Sequence, residues 1–115
     1  MERRDVIFDV IEMIRSVEEN TGLNSLDPIS KEILGRIAAA EVRDKPAKVT
    51  EIIKLGQLGT PPTLFGRVSN LEENGWIVAL IDDADKRVRR LTLTPKARRA
   101  YSMMSAAAFK IFDHH

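Results

Sequence analysis

Two short apolar segments, separated by six charged or turn-forming residues, constrain the fold of this chain most strongly. Residues 76–81 (Trp-Ile-Val-Ala-Leu-Ile) are apolar and partly β-branched, and residues 88–93 alternate in the manner of a strand. The intervening residues 82–87 have the composition of a turn and include two basic side chains. The sequence therefore predicts a β-hairpin with a charged tip.

Helices are predicted on both sides of this hairpin. A threonine–proline pair at residues 60–61 has the pattern of a helix start, and Gly75 supplies the left-handed residue that commonly ends a helix. The same threonine–proline signal at residues 94–95 opens a last helix, which we predict over residues 95–112. The order is thus helix, hairpin, helix.

The first half of the chain is predicted to be helical. Apolar residues at three- and four-residue spacing predict an amphipathic helix over residues 3–19, and Asp27-Pro28 predicts the start of a second helix that runs to residue 42. A short third helix over residues 49–55 is followed by a glycine-containing turn. Two helices joined by a short turn and followed by a hairpin define a winged helix-turn-helix.

We therefore predict a mainly α fold with a small β-hairpin wing, in which N- and C-terminal dimerisation helices flank a winged helix-turn-helix. The 115 residues fit a single DNA-binding domain whose winged-helix core spans residues 27–94. Both terminal helices carry more apolar surface than such a core can cover, which favours a homodimer. Packing within the monomer is the alternative explanation of that surface.

Composition disfavours enzyme chemistry. The chain has no cysteine, and its only histidines are the adjacent His114 and His115 at the end, so neither a catalytic triad nor a metal site is predicted. We expect a protein that is not an enzyme and uses no cofactor. No apolar segment reaches the roughly 20 residues of a membrane span, and the charged start does not resemble a signal peptide, so we predict a cytoplasmic protein without membrane contact.

The net charge of +1 conceals a strong asymmetry. Residues 86–112 contain eight basic side chains and no Asp or Glu, whereas residues 1–27 contain seven acidic and three basic ones. A local basic cluster attracts phosphate even in a nearly neutral chain. A solvated basic surface is the alternative interpretation of the charge pattern alone.

Three motifs around the predicted wing resemble the MarR family of bacterial and archaeal transcription regulators, which are winged-helix dimers. Residues 71–75 (Leu-Glu-Glu-Asn-Gly) match the end of the family's recognition helix, residues 85–87 (Asp-Lys-Arg) match its wing motif, and residues 93–96 (Leu-Thr-Pro-Lys) match the segment that follows. Ala97 replaces the glycine that the family usually has there. Outside residues 48–96 the resemblance lies only in the order of the helices.

The resemblance implies that Arg87 lies at the wing tip and enters the minor groove of double-stranded DNA, while Asp85 holds its guanidinium. Further candidates have side chains suited to bases or phosphates. They lie on the predicted recognition helix (Thr63, Arg67, Ser69, Asn70), on the helix before it (Lys48, Thr50) and on the wing (Lys86, Arg89, Arg90). For Asp85 and Arg87, simple closure of a hairpin turn is the competing interpretation.

Two further interpretations follow from the sequence. The predicted last helix is shorter than the terminal helices of typical family members, which argues against a small-molecule effector pocket. The alternative function is a winged-helix module that binds a protein partner and has no specific DNA site. The scarcity of basic residues on the recognition helix favours that alternative, whereas the basic cluster around the wing favours DNA.

Overall fold

The computed structural model describes the backbone of residues 3–114, and these residues form five α-helices, a short 3₁₀ helix and three β-strands. The chain divides into two compact units, one drawn from residues 1–26 and 98–115 and one from residues 27–97. The helices are α1 (Arg3–Thr21), α2 (Pro28–Val42), α3 (Val49–Ile53), α4 (Pro61–Glu73) and α5 (Pro95–His114), and the 3₁₀ helix is Leu23–Ser25. The strands are β1 (Ala47–Lys48), β2 (Ile77–Ile81) and β3 (Arg89–Leu93).

Helix α2 begins with a side-chain cap, whereas α4 begins without one. Asp27 caps α2, since its Oδ1 accepts a hydrogen bond of 2.7 Å from the N–H of Ser30. Thr60 occupies the N-cap position of α4, yet its hydroxyl donates to the Thr63 hydroxyl at 3.1 Å and makes no capping bond. The two prolines that follow Thr60 have no N–H, so a cap has fewer donors to satisfy there.

The turn after α4 depends on Gly75, which has φ +79°. In this conformation the N–H of Gly75 donates to the carbonyl of Glu72, and the N–H of Trp76 donates to the carbonyl of Leu71. These two bonds satisfy carbonyls at the end of the helix that would otherwise lack a hydrogen-bond donor. The predicted left-handed glycine is confirmed, and β2 follows within two residues.

The sheet has three antiparallel strands in the order β1-β3-β2. The hairpin of β2 and β3 is present as predicted, with Ile77 opposite Leu93 and Ala79 opposite Leu91. The sequence did not predict β1, whose Ala47 pairs with Leu91. A strand of two residues has no periodicity of its own, so only its partner strand defines it.

The core of residues 27–97 lies between the helices and one face of the sheet. Its fully buried large side chains come from α2, α4, β2 and β3, namely Ile33, Leu34, Ile37, Leu64, Leu71, Ile77 and Leu91. The sheet contributes alternate residues because successive strand side chains point to opposite faces. This packing holds one side of α4 inward and leaves the other side facing solvent.

The terminal helices show a different distribution of apolar side chains. On α1, Val17 is buried, whereas Ile7, Phe8, Ile11 and Ile14 are exposed. On α5, the exposed large apolar residues are Met103, Phe109 and Phe112. No helix in the described part of the chain is long and apolar enough to cross a membrane.

Candidate nucleic-acid interface

The wing tip is built around the carboxylate of Asp82. Its Oδ2 accepts hydrogen bonds from the N–H groups of Ala84 (3.0 Å) and Asp85 (2.9 Å), which closes the turn. Two backbone bonds tighten the same turn, from Asp82 N–H to the Val88 carbonyl and from Val88 N–H to the Asp85 carbonyl. The tip is therefore a hydrogen-bonded turn with a defined shape.

Arg90 ties this turn to the loop before β1. Its Nε donates to Asp82 Oδ1 at 2.7 Å, and another guanidinium nitrogen donates to the Pro46 carbonyl at 2.8 Å. The side chains of Arg90 and Asp82 are only 29% and 17% exposed. Arg90 is a predicted DNA contact, and in the structure its guanidinium also links the wing turn to the loop at Pro46.

Arg87 has a different environment, although it also pairs with an aspartate. Its guanidinium donates to both carboxylate oxygens of Asp85 at 3.2 Å, and its N–H donates to Asp85 Oδ1 at 3.0 Å. The pairing expected from the sequence is thus present. The Arg87 side chain is 91% exposed, so Asp85 orients a cation that stays open to a ligand.

The pKa values of the two wing aspartates reflect these contacts. The hydrogen bond from Arg90 is the largest factor that lowers the pKa of Asp82, and the N–H of Asp85 lowers it further. The hydrogen bonds from Arg87 lower the pKa of Asp85, and the nearby charge of Lys48 acts in the same direction. Both carboxylates are therefore held in their charged form.

Asp82→Asn is expected to lower the free energy of unfolding at neutral pH, because an amide cannot offer Arg90 a negative charge. A group whose pKa is lowered by folding stabilises the protein above its ordinary pKa, and this contribution disappears as the pH falls through the folded-state pKa. The difference between wild type and Asp82→Asn in urea unfolding should therefore stay constant from about pH 7 to about pH 5 and shrink as the pH falls below about 4.

The neighbouring exposed carboxylate provides a matched control for this measurement. Asp83→Asn makes the same change of charge one residue away, at an exposed side chain outside the hydrogen bonds that close the turn. It should therefore leave the unfolding free energy nearly unchanged. A deficit in Asp82→Asn that is the same at every pH would show that Asp82 acts through turn geometry alone.

On α4, the only basic side chain is engaged within the protein. Arg67 Nε donates to Asp27 Oδ2 at 2.6 Å, and the two side chains are 33% and 41% exposed. Of the other predicted contacts on this helix, Thr63 and Ser69 are half-buried and Asn70 is exposed. The structure thus places three short polar side chains and one paired arginine on α4.

The remaining predicted contacts lie at the end of β1, at the start of α3 and on the wing. Lys48 ends β1 and precedes α3, where its N–H donates to the Glu51 carboxylate at 2.7 Å, and Thr50 is exposed in the first turn of α3. Lys86 and Arg89 are exposed on the wing. Lys48 acts on the pKa of Asp85, which places it close to the wing.

A basic cleft beside β1 escaped the sequence analysis. Its volume is about 330 Å³, and its lining includes Arg36, Arg43, Lys45 and one carboxylate, that of Glu51. From the sequence, residues 43–46 are expected only to follow the end of the second helix. The mixed charges of these residues do not follow the spacing of a helix or strand, so the sequence does not group them. The packing of α2, β1 and α3 brings these cations together.

No group of three or more metal-ligating side chains comes together in the part of the chain that the structure describes. His114 is exposed in the last turn of α5, and His115 lies outside the described residues. The features on which a site can be built are therefore the wing, the outer side of α4 and the basic residues near β1.

The element order, the sheet and the wing define a winged helix-turn-helix fold, and solved structures specify its type. The transcriptional regulator Tm0710 from Thermotoga maritima has a TM-score of 0.67 at 24% identity, over 96% of this chain and 72% of that chain. A MarR-like transcriptional regulator, tm0816, from the same organism has a TM-score of 0.67 at 18% identity, over 99% and 80%. The fold is therefore that of MarR-like regulators, as the wing motifs predicted.

A structure of MepR from S. aureus in complex with DNA is also similar. Its TM-score is 0.61 at 22% identity, and the similarity covers 96% of this chain and 82% of that chain. No family model and no curated protein sequence matches the chain. The similar structures belong to transcription regulators, and at these identities the similarity concerns the fold.

Proposed function

We propose that this protein is a transcription regulator that binds specific sequences of double-stranded DNA. In this proposal α4 is the recognition helix in the major groove and the wing enters the adjacent minor groove. The observation that carries the proposal is Arg87, an almost fully exposed guanidinium held by Asp85 at the tip of a closed turn. An arginine suits a narrow, electronegative minor groove because its planar charge is weakly hydrated.

Other polar and basic side chains on the wing, α3 and α4 support this placement of the wing and α4 on DNA. Lys86 and Arg89 extend the basic surface along the wing. Lys48 lies near the wing, Thr50 lies in the first turn of α3, and both are suited to phosphate contacts. Thr63, Ser69 and Asn70 provide hydrogen-bonding groups on α4. The similarity to MepR, which has been solved with DNA, supports a fold able to dock on a duplex.

We infer that the protein acts as a homodimer. The support comes from the exposed apolar side chains of α1 and α5, which include Ile7, Phe8, Ile11, Phe109 and Phe112. A twofold dimer would place two recognition helices about 34–36 Å apart, facing successive major grooves of a pseudo-palindromic site. We further propose that the dimer works in the cytoplasm and represses transcription by occupying this site.

Selection of bound duplexes from a random pool, followed by fluorescence anisotropy, tests the proposal. We expect enrichment of an inverted repeat whose half-sites lie about 10 base pairs apart, and binding that weakens steeply as salt rises. Sedimentation of the complex should give two chains per duplex. The absence of salt-dependent binding to any duplex would reject the proposal.

A protein-interaction module is the second candidate. It is favoured by α4, whose one arginine is paired and whose last turn carries Glu72 and Glu73, a poor charge distribution for DNA. In that case the selection would yield no enriched sequence, and the exposed apolar residues Phe65, Leu80 and Ile81 on α4 and the wing would be expected to bind a protein. The same selection experiment therefore separates the two candidates.

A further inference from the structure

The ion pair between Arg67 and Asp27 joins the recognition helix to the start of α2. Asp27 uses its two carboxylate oxygens for two tasks. Oδ1 caps α2 through the N–H of Ser30 at 2.7 Å, and Oδ2 accepts from Arg67 Nε at 2.6 Å. The carboxylate is therefore fixed by the helix cap, and the arginine is held against a fixed acceptor.

The hydrogen bonds also keep Asp27 ionised. The pKa of Asp27 is lowered, first by the N–H of Ser30 and to a smaller extent by the charge of Arg67. The acceptor thus stays negative over the whole range in which DNA binding would be measured. The positive charge of Arg67 is correspondingly offset by a negative charge in direct contact.

The position of Arg67 on α4 makes this pairing relevant to DNA. Arg67 follows Thr63 by four residues and precedes Asn70 by three, so the three side chains are neighbours on one flank of the helix. An arginine in this position has the length to turn either toward Asp27 or toward a groove. The side chains of Arg67 and Asp27 are 33% and 41% exposed, so the ion pair is partly buried but remains accessible from solvent.

We infer that Asp27 is a specificity-determining residue that withholds Arg67 from DNA. While Asp27 holds the guanidinium, α4 offers the duplex short neutral polar side chains and no free cation. Affinity then depends on the wing and on the residues near β1, and binding to unrelated sequences stays weak. This inference rests on the proposed function, since it assigns a role within the same interface.

The physical basis is a competition between two anions for one guanidinium. A phosphate can recruit Arg67 only by separating it from a carboxylate 2.6 Å away, so that a new ion pair with DNA replaces the existing one with Asp27. If the Asp27 charge is removed, the cost of this separation vanishes. One more phosphate contact makes the logarithm of the binding constant fall more steeply with the logarithm of the salt concentration, by about 0.9.

Asp27→Asn is the direct test, because asparagine caps a helix about as well as aspartate does. We expect the variant to bind an unrelated duplex about fivefold more tightly at low salt, with a salt slope steeper by about 0.9. Asp27→Ser, which also retains a capping side chain, should give the same slope. Thermal unfolding followed by circular dichroism checks that both variants are folded.

Asp44→Asn is the matched control for charge. Asp44 is exposed, lies outside α2 and has φ +59°, a conformation that asparagine tolerates well. It undergoes the same change of charge as Asp27→Asn, but it does not hold Arg67, so it should leave the salt slope unchanged. Equal salt slopes for Asp44→Asn and Asp27→Asn would overturn the inference.

Arg67→Gln completes the set. In the wild-type background this change should leave the salt slope unaltered, and combined with Asp27→Asn it should return the slope to the wild-type value. A slope that is lower by about 0.9 in Arg67→Gln alone would show that Arg67 already contacts phosphate, and would also overturn the inference. Failure of the wild-type protein to bind any duplex would instead reject the proposed function itself.

Discussion

Arg87→Ala is expected to weaken binding to the selected duplex by about 1–3 kcal/mol, which is about five- to 150-fold. The side chain is 91% exposed and its partners lie in its own turn, so its loss would remove the proposed contact to DNA without removing core packing. Stability should therefore change by less than about 0.5 kcal/mol. Fluorescence anisotropy and urea unfolding of the same preparation measure both quantities.

Two further variants show whether the guanidinium itself matters. Lys86→Ala removes an adjacent exposed charge from the same tip, and a smaller effect is expected because no carboxylate orients Lys86 in the way that Asp85 orients Arg87. Arg87→Lys keeps the charge but cannot make the two-pronged pair with Asp85. Unchanged affinity in Arg87→Ala, or equal losses in Arg87→Ala and Lys86→Ala, would contradict the proposed role of Arg87.

Leu64→Ala is expected to lower the free energy of unfolding by about 2–5 kcal/mol, because Leu64 is fully buried and its removal leaves a cavity beneath α4. A loss of this size is a large part of the stability of a small domain. Urea unfolding at a fixed protein concentration measures it. The concentration must be constant because association would add to the apparent stability.

The adjacent residue provides the comparison. Phe65 is larger than Leu64 but 55% exposed, so Phe65→Ala is expected to cost much less, on the order of 1 kcal/mol or below. The pair tests the rotational orientation of α4, since a helix turned by one residue would reverse the order of the two effects. A larger loss in Phe65→Ala than in Leu64→Ala would contradict the structure of this helix.

The helix boundaries show how much the sequence could predict. The start of α2 at Pro28 and the end of α4 before Gly75 follow from interactions within about four residues, so the local sequence contains the necessary information. The short helix α3 was predicted two residues too long, since it ends at Ile53. The strand β1 was missed because its partner residues in β3 are distant in the sequence, with Ala47 opposite Leu91.

In the candidate interface too, contacts between near neighbours in the sequence were predictable and contacts between distant residues were not. Asp85 and Arg87 are two residues apart, so a short sequence motif predicts their ion pair, and the pair is present in the wing turn. The partners of Arg67 and Arg90 lie 40 and 44 residues away, at Asp27 and at the Pro46 carbonyl. No local pattern distinguishes these two arginines from Arg87, although their guanidinium groups are engaged within the protein.

By itself, the sequence determined the winged-helix class and the position of the wing, because helix caps, a left-handed glycine and a charged turn act over a few residues. Only the tertiary structure decided which cations remain available to a ligand. An ion pair depends on distance in space, and packing brings Asp27 to Arg67 and the loop at Pro46 to Arg90. Arg87 stays open to solvent because its partner is its near neighbour at the tip of the wing.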